Sequence, residues 1–303
     1  MPEDNKFSLI NFDGASDVLN NLINKVSGAV GWVVTHDTPK RIAQMTYIEE
    51  IQKMDIPPLE KAALISNAKK AIKDYKNQTR VLCIAAQNLR DDAKPQDIDD
   101  DWISEFMDKV RNISDEEFQL IWARILAGEA NNPGSFSLRT LEKLKELSKE
   151  EAMCFMHIAE SIVMNGIEPI ILKSDELERG KGLQDIMVLS ECGILANSSF
   201  LSIKVSLGKN EEKILFYNNN LAVKATNLTD GDKDINFGVY QFTKCGKEIL
   251  KAIEVNTSNA PILIGAEKLR NEYLNENIQI DVYNVQKIDF ESQKVILTNH
   301  HFY

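Results

Sequence analysis

Two arginines, Arg124 and Arg139, flank the breaker Asn131-Asn132-Pro133-Gly134 and are the side chains best suited to binding chemistry in this 303-residue chain. A guanidinium fork meets a phosphate or carboxylate with two parallel hydrogen bonds, and a helix opening near Ser137 would turn free backbone N–H groups toward the same anion. Glu117, Trp122 and Glu129 complete the polar and aromatic set of this stretch. A purely structural reading stands beside the functional one. In it Glu117 closes a capping box on Ser114, Trp122 fills a core with Phe118, Ile125 and Leu126, and the arginines pair with carboxylates such as Glu129.

Other reactive side chains form no recognisable constellation. His157 lies in a helical stretch beside Phe155 and Met156 and reads as a partly buried packing residue rather than a base. His300 and His301 stand near the C-terminus without a cysteine or carboxylate at metal-ligand spacing. Asp97, Asp99 and Asp101 imitate the first ligands of a calcium loop, but Trp102 stands where that loop needs glycine and Asp108 where it needs a bidentate glutamate. The triplet reads instead as helix-start chemistry, with Asp101 as the cap. Phosphate loops, dinucleotide fingerprints, nucleophile elbows and paired-histidine zinc helices do not occur. No catalytic residue, metal or cofactor is therefore assigned. Cys83, Cys154, Cys192 and Cys245 are widely spaced, which fits reduced thiols in a cytoplasm.

The elements that would position these residues follow from periodicity. Apolar residues from Val18 to Val33 keep helical spacing over residues 17–34, with Gly28 and Gly31 beside Trp32. Such a helix can pack in a core, pair with a second copy, or lie peripherally on a membrane surface. A second helix is expected over residues 39–54, ended by Pro57-Pro58. Ile65, Ala68, Ile72, Tyr75, Thr79, Leu82, Ala86 and Leu89 then alternate steps of three and four, the spacing of a heptad seam, and predict a long central helix. Two Ser-x-x-Glu boxes, Ser114 to Glu117 and Ser148 to Glu151, bracket short helices around the breaker. Helices are expected at 149–165, 183–192, 243–253 (capped by Thr243) and 266–275. Period-two patterns predict strands at 200–207, 213–217, 221–226, 237–242, 278–288 and 294–298, and 167–172 is a short apolar run. The fold class is α+β, with a helical domain over residues 16–165 and a mixed domain over 166–303.

A formal net charge of −11 argues against a nucleic-acid coat, which needs a concentrated basic field. No run reaches the roughly 18 apolar residues of a spanning helix.

The strings DWISEF, ISDEEFQLIWARILAGE and PGSFSLRTLEKL resemble the bacterial domain-of-unknown-function family 2806. Looser likeness runs through Gln87-Asn88, LQDIMVLSECGIL and FTKCGKEIL, so the resemblance covers about residues 15–255. The same segment looks like the helical domain of abortive-infection alpha-type proteins, which implies a phage-defence setting and supplies no catalytic residues. Helix, helix, strand pair, then a strand entering Thr243-x-x-Gly246 is similar to a winged-helix module. Its bases Lys204, Lys209 and Lys213 would be the DNA contacts of such a module, but Glu211 and Glu212 dilute them and favour a protein partner. The expected function is a non-enzymatic interaction protein that forms a homo-oligomer or meets a protein partner. The alternatives are a DNA-binding regulator or an unrecognised enzyme.

Overall fold

The computed structural model describes residues 16–31, 46–197, 201–289, 292 and 294–301. The chain divides into two compact units, Met1–Lys145 and Glu146–Tyr303, so the division falls before the change of texture at Gly166.

In the first unit, α1 (Asp17–Val30) opens on Ser16, whose hydroxyl accepts from the Leu19 N–H at 3.3 Å, and closes on Gly31 at φ 68°. That left-handed turn ends the helix short of the expected residue 34; Trp32 lies outside the described residues, as does the expected helix before Thr46. The apolar face of α1, with Leu22 and Val26 fully buried, packs on α4 (Asp100–Val110). Next come α2 (Thr46–Lys53) and α3 (Pro58–Ala86), the long helix that the seam predicts, with proline in its first turn, where a missing N–H costs nothing.

The buried residues of α3 are Ala68, Asn77, Gln78, Val81, Leu82 and Ala85, so only Ala68 and Leu82 of the seam are buried, and the other four lie off it. An α-helix repeats at 3.6 residues per turn, and a 3.5-residue stripe drifts around it by about 20° per heptad. Polar residues fill the rotated stripe. Asn77 donates to the carbonyl of Arg111 at 2.7 Å, just past the end of α4, and Gln78 to that of Met107 at 3.0 Å, which also accepts from the Arg111 N–H.

The cap of α4 is Asp99 rather than Asp101: its carboxylate accepts from the Trp102 N–H at 2.9 Å, a reach that only the residue just outside the helix has. Likewise α5 (Glu116–Asn131) is capped by Asp115, which accepts from Glu117 and Phe118, because the Ser114 hydroxyl faces the Asn77 amide instead. The expected Ser114–Glu117 box is therefore replaced. Helix α6 (Leu138–Glu146) follows the breaker.

The second unit begins with α7 (Lys149–Ala159), on which the Ser148–Glu151 box is complete. The helix expected through residue 165 stops there, because residues 162–165 enter β1 (Ile162–Asn165), joined through Gly166 at φ 58° to β2 (Glu168–Leu172). After α8 (Gly180–Glu191) come β3 (Ser202–Leu207), β4 (Glu212–Tyr217), β5 (Leu221–Asn227), β6 (Lys233–Gln241), α9 (Lys244–Lys251), α10 (Ala260–Glu272), β7 (Ile278–Asp289) and β8 (Lys294–His301). The strands form one antiparallel sheet in the order β3-β6-β2-β1-β4-β5-β7-β8. Phe216, Val223, Ile235 and Val239 of the sheet bury against Ile262 and Ala266 of α10. At Gly265 the helix comes so close that a Cβ would stand 2.7 Å from Leu172 and 2.9 Å from Phe216. Thr243 caps α9 through the Gly246 N–H at 3.1 Å and donates its hydroxyl proton to the Gly193 carbonyl at 2.7 Å, tying the end of α8 to the start of α9.

Candidate functional site

Around the breaker the decisive side chain is Glu129, only 2% exposed. Its carboxylate accepts from the Gly134 N–H at 2.6 Å and from the Phe136 N–H at 2.9 Å. The Phe136 carbonyl in turn accepts from the Trp102 indole at 2.8 Å, and the Phe136 ring lies over Gly128, where a Cβ would be 2.7 Å from it. Trp102 stacks on Phe106, whose ring meets the edge of fully buried Trp122. The loop that leads into α6 thus spends two of its N–H groups on the chain's own carboxylate, and an anion approaching there meets that carboxyl group. Arg124 is half-buried on α5 and Arg139 exposed in the first turn of α6.

The three wing lysines are all engaged. Lys204 lies 2.7 Å from Asp234, Lys209 2.6 Å from Asp230, and Lys213 3.1 Å from Glu211 while also donating to the Ser206 carbonyl at 2.8 Å. Each ammonium charge is matched by a carboxylate, so the region offers phosphates no unopposed row of cations.

Sequence reasoning missed one cluster. His157 on α7 places Nδ1 2.5 Å from the Asp185 carboxylate on α8, which is 5% exposed. Burial, and then the hydrogen bond to Asp185, push the Cys154 thiol up to about 11. Cys154 is therefore a neutral thiol at physiological pH rather than a thiolate nucleophile, and the cluster works as a clasp between two helices. His157 is exposed rather than partly buried as expected, and its ring is held by this hydrogen bond instead of by packing. Nothing in the spacing announces Asp185, which comes from a different helix. Among the described residues no group of histidine, cysteine and carboxylate side chains could hold a metal ion, and no helix is long and apolar enough to cross a membrane.

Among the described residues, the first half of α3 carries apolar side chains that are only partly covered. All of its buried residues except Ala68 lie at 77–85. Ahead of them, Leu64, Ile65 and Ile72 are only half-buried against Ile48 and Ile51 of α2, and Leu59 is 84% exposed.

Helix α3 from Ile65 onward, the Asn77–Gln78 contacts, the Glu129 loop and the first hairpin form one continuous stretch. Residues 65–181 match the family described as a protein of unknown function, DUF2806. The DUF2806 match is narrower than the expected residues 15–255: it takes in DWISEF, the ISDEEF string and PGSFSL, and stops before LQDIMVLSECGIL and FTKCGKEIL. No curated protein and no solved structure matches the chain.

Proposed function

We propose that this is a non-enzymatic interaction protein that self-associates through its N-terminal helices. The observation that carries the reading is the half-covered apolar row Leu64, Ile65 and Ile72 on the first half of α3. Half-buried aliphatic side chains along one helix face gain about 25 cal/mol per Å² when a second surface covers them. A copy of the same helix pair is the simplest cover for a repeated a/d-type row. Gly28 on α1 has no atom within 4 Å of where a Cβ would stand, so a backbone can approach there too. The winged-helix-like part, with α7, α8, β3, β6 and α9, serves protein contact in this reading, because its lysines are already paired. The setting we propose is bacterial phage defence, supported by the likeness of the DWISEF-to-SLRTLEKL segment to abortive-infection alpha-type proteins.

Size-exclusion chromatography with light scattering tests the assembly. The unmodified chain should run as a dimer or larger at tens of micromolar, and Ile72→Asp should shift it to monomer with its far-UV circular dichroism retained. A monodisperse monomer for the unmodified chain would sink the proposal. Phage challenge of a bacterial host expressing the chain tests the setting: plaque numbers that match those of an empty host refute a defence role.

A further inference from the structure

In a chain whose net charge is −11, α3 carries six bases against two acids. Lys69, Lys73 and Lys76 follow one another at steps of four and three, which sets them in one row on the helix, and all three are exposed. Among the described residues none of them has a carboxylate within ion-pair distance, whereas Lys25, Arg90, Lys109 and Arg111 of the same unit each hold one. Arg80 continues the row four residues on and holds Glu116 at 2.7 Å, so a carboxylate can meet this stripe. Unspent acids are grouped in the same unit. Residues 91–101 contain six aspartates and one lysine, and Asp91, Asp97 and Asp101 are exposed, with no base within ion-pair distance among the described residues.

We propose that the row Lys69, Lys73 and Lys76 docks on residues 91–101 of a second copy of the chain, and the copy's row on residues 91–101 of the first, in an antiparallel two-fold pair. This rests on the self-association proposed above and names its polar contact. Lys76 stands about 15 Å along the helix axis from the end of α3 at Ala86, and the acidic segment follows that end. Two such helices, side by side and antiparallel, bring each row to the other's acids. Parallel helices in register would set row against row, and facing like charges destabilise. Ile65 and Ile72 each stand four residues before a lysine of the row, so the half-buried aliphatic groups flank it. A protein surface covers such groups while its acids meet the lysines, whereas a phosphodiester strand offers them nothing apolar.

The test is charge exchange on the full chain, read by size-exclusion chromatography with light scattering. The row variant combines Lys69→Glu, Lys73→Glu and Lys76→Glu. The segment variant combines Asp91→Lys and Asp97→Lys and spares Asp101, which sits in the first turn of α4, where a base would oppose the helix dipole. Each variant alone should weaken the dimer by about tenfold to a hundredfold with its far-UV circular dichroism retained. Mixing the two should restore a dimer, because each reversed patch then meets its opposite. A row variant that dimerises as the unmodified chain does leaves self-association standing and overturns this contact, and a monodisperse monomer for the unmodified chain overturns both. Two weakened variants that fail to restore each other also overturn it. Retention on immobilised heparin that the row variant loses, with its dimer unchanged, would assign the row to a polyanion such as nucleic acid instead.

Discussion

Replacing Glu129 with alanine asks directly what holds the helical unit together at its breaker. The substitution removes a 2%-exposed carboxylate that accepts from two backbone N–H groups, at 2.6 Å from Gly134 and 2.9 Å from Phe136. A hydrogen bond to a charged group contributes about 1.5–3 kcal/mol, and a buried N–H left without a partner costs its desolvation penalty. Water can reach the Gly134 side, which is exposed, but the Phe136 N–H is buried with its residue. The net loss should be about 3–5 kcal/mol. It should spread, because Phe136 also holds the Trp102 indole through its carbonyl.

All three tryptophans of the chain fall within this unit, and Trp102 and Trp122 are buried, so the fluorescence change in urea reports its unfolding. Glu129→Gln separates charge from shape. The amide keeps one acceptor oxygen but presents its NH₂ to the second N–H, and should cost about 2–3 kcal/mol, less than alanine. If alanine costs under about 1 kcal/mol, the loop closes without the carboxylate and the account of the breaker is wrong. If glutamine costs more than alanine, donor–acceptor matching is not what the residue supplies.

Further outcomes follow from the same contacts. Trp122→Ala should cost about 3–5 kcal/mol in urea melts, whereas Trp122→Phe should cost distinctly less, because the indole N–H it removes is buried without a partner; equal losses would contradict this. Burial lowers the affinity of Lys109 for its proton, but hydrogen bonds and charges from Glu142 and Glu105 outweigh that and raise its pKa, while the Lys109 hydrogen bond holds the Glu142 carboxyl below 4.5. Glu142 therefore contributes stability above pH 4.5 that is lost as pH falls through its lowered value, and Lys109 contributes stability below 10.5 that is lost as pH rises through its raised one. Lys109→Met should flatten both limbs of a stability–pH curve, and an unchanged acid limb would show that other carboxylates set it. Duplex DNA titrated at two salt concentrations should show no submicromolar binding, and a steep salt slope would restore a DNA-reading role to Lys204, Lys209 and Lys213.

What was legible in the sequence is what is local. Ser148 and Thr243 cap the helices they precede, because a cap needs only the next three residues. The strands at 213–217, 221–226 and 278–288 appear within a residue of their expected bounds, since alternation is read within a strand. Where several cap formers adjoin, tertiary contacts choose: Asn77 engages Ser114 and leaves the cap to Asp115. The strand order could not be read, because β6 enters beside β2 and β1 beside β4 only once the chain has closed on itself. The same holds for β1, whose Ile162 and Val163 fit a helical face until β2 offers them a ladder. For the candidate sites the loss is greater. The two bonds from the Gly134 and Phe136 N–H groups to Glu129 were not legible, because a sequence shows acids and bases but not which backbone N–H groups a loop will aim at them. A wing lysine reads as a base diluted by nearby acids until its particular partner is seen, Asp234 for Lys204 and Asp230 for Lys209.

That contrast locates function by subtraction. Polar side chains in both units are largely spent on the fold: Asn77 and Gln78 on the end of α4, Glu129 on the breaker, His157 on Asp185, and the wing lysines on their acids. Groups so spent can be altered only at a cost in stability, which makes them poor reporters of activity. The first half of α3 carries apolar area that the described residues only half cover. A substitution there removes little from the fold, so a phenotype reports on a partner rather than on unfolding, and Ile72→Asp that loses assembly while its urea midpoint stays unchanged would separate the two.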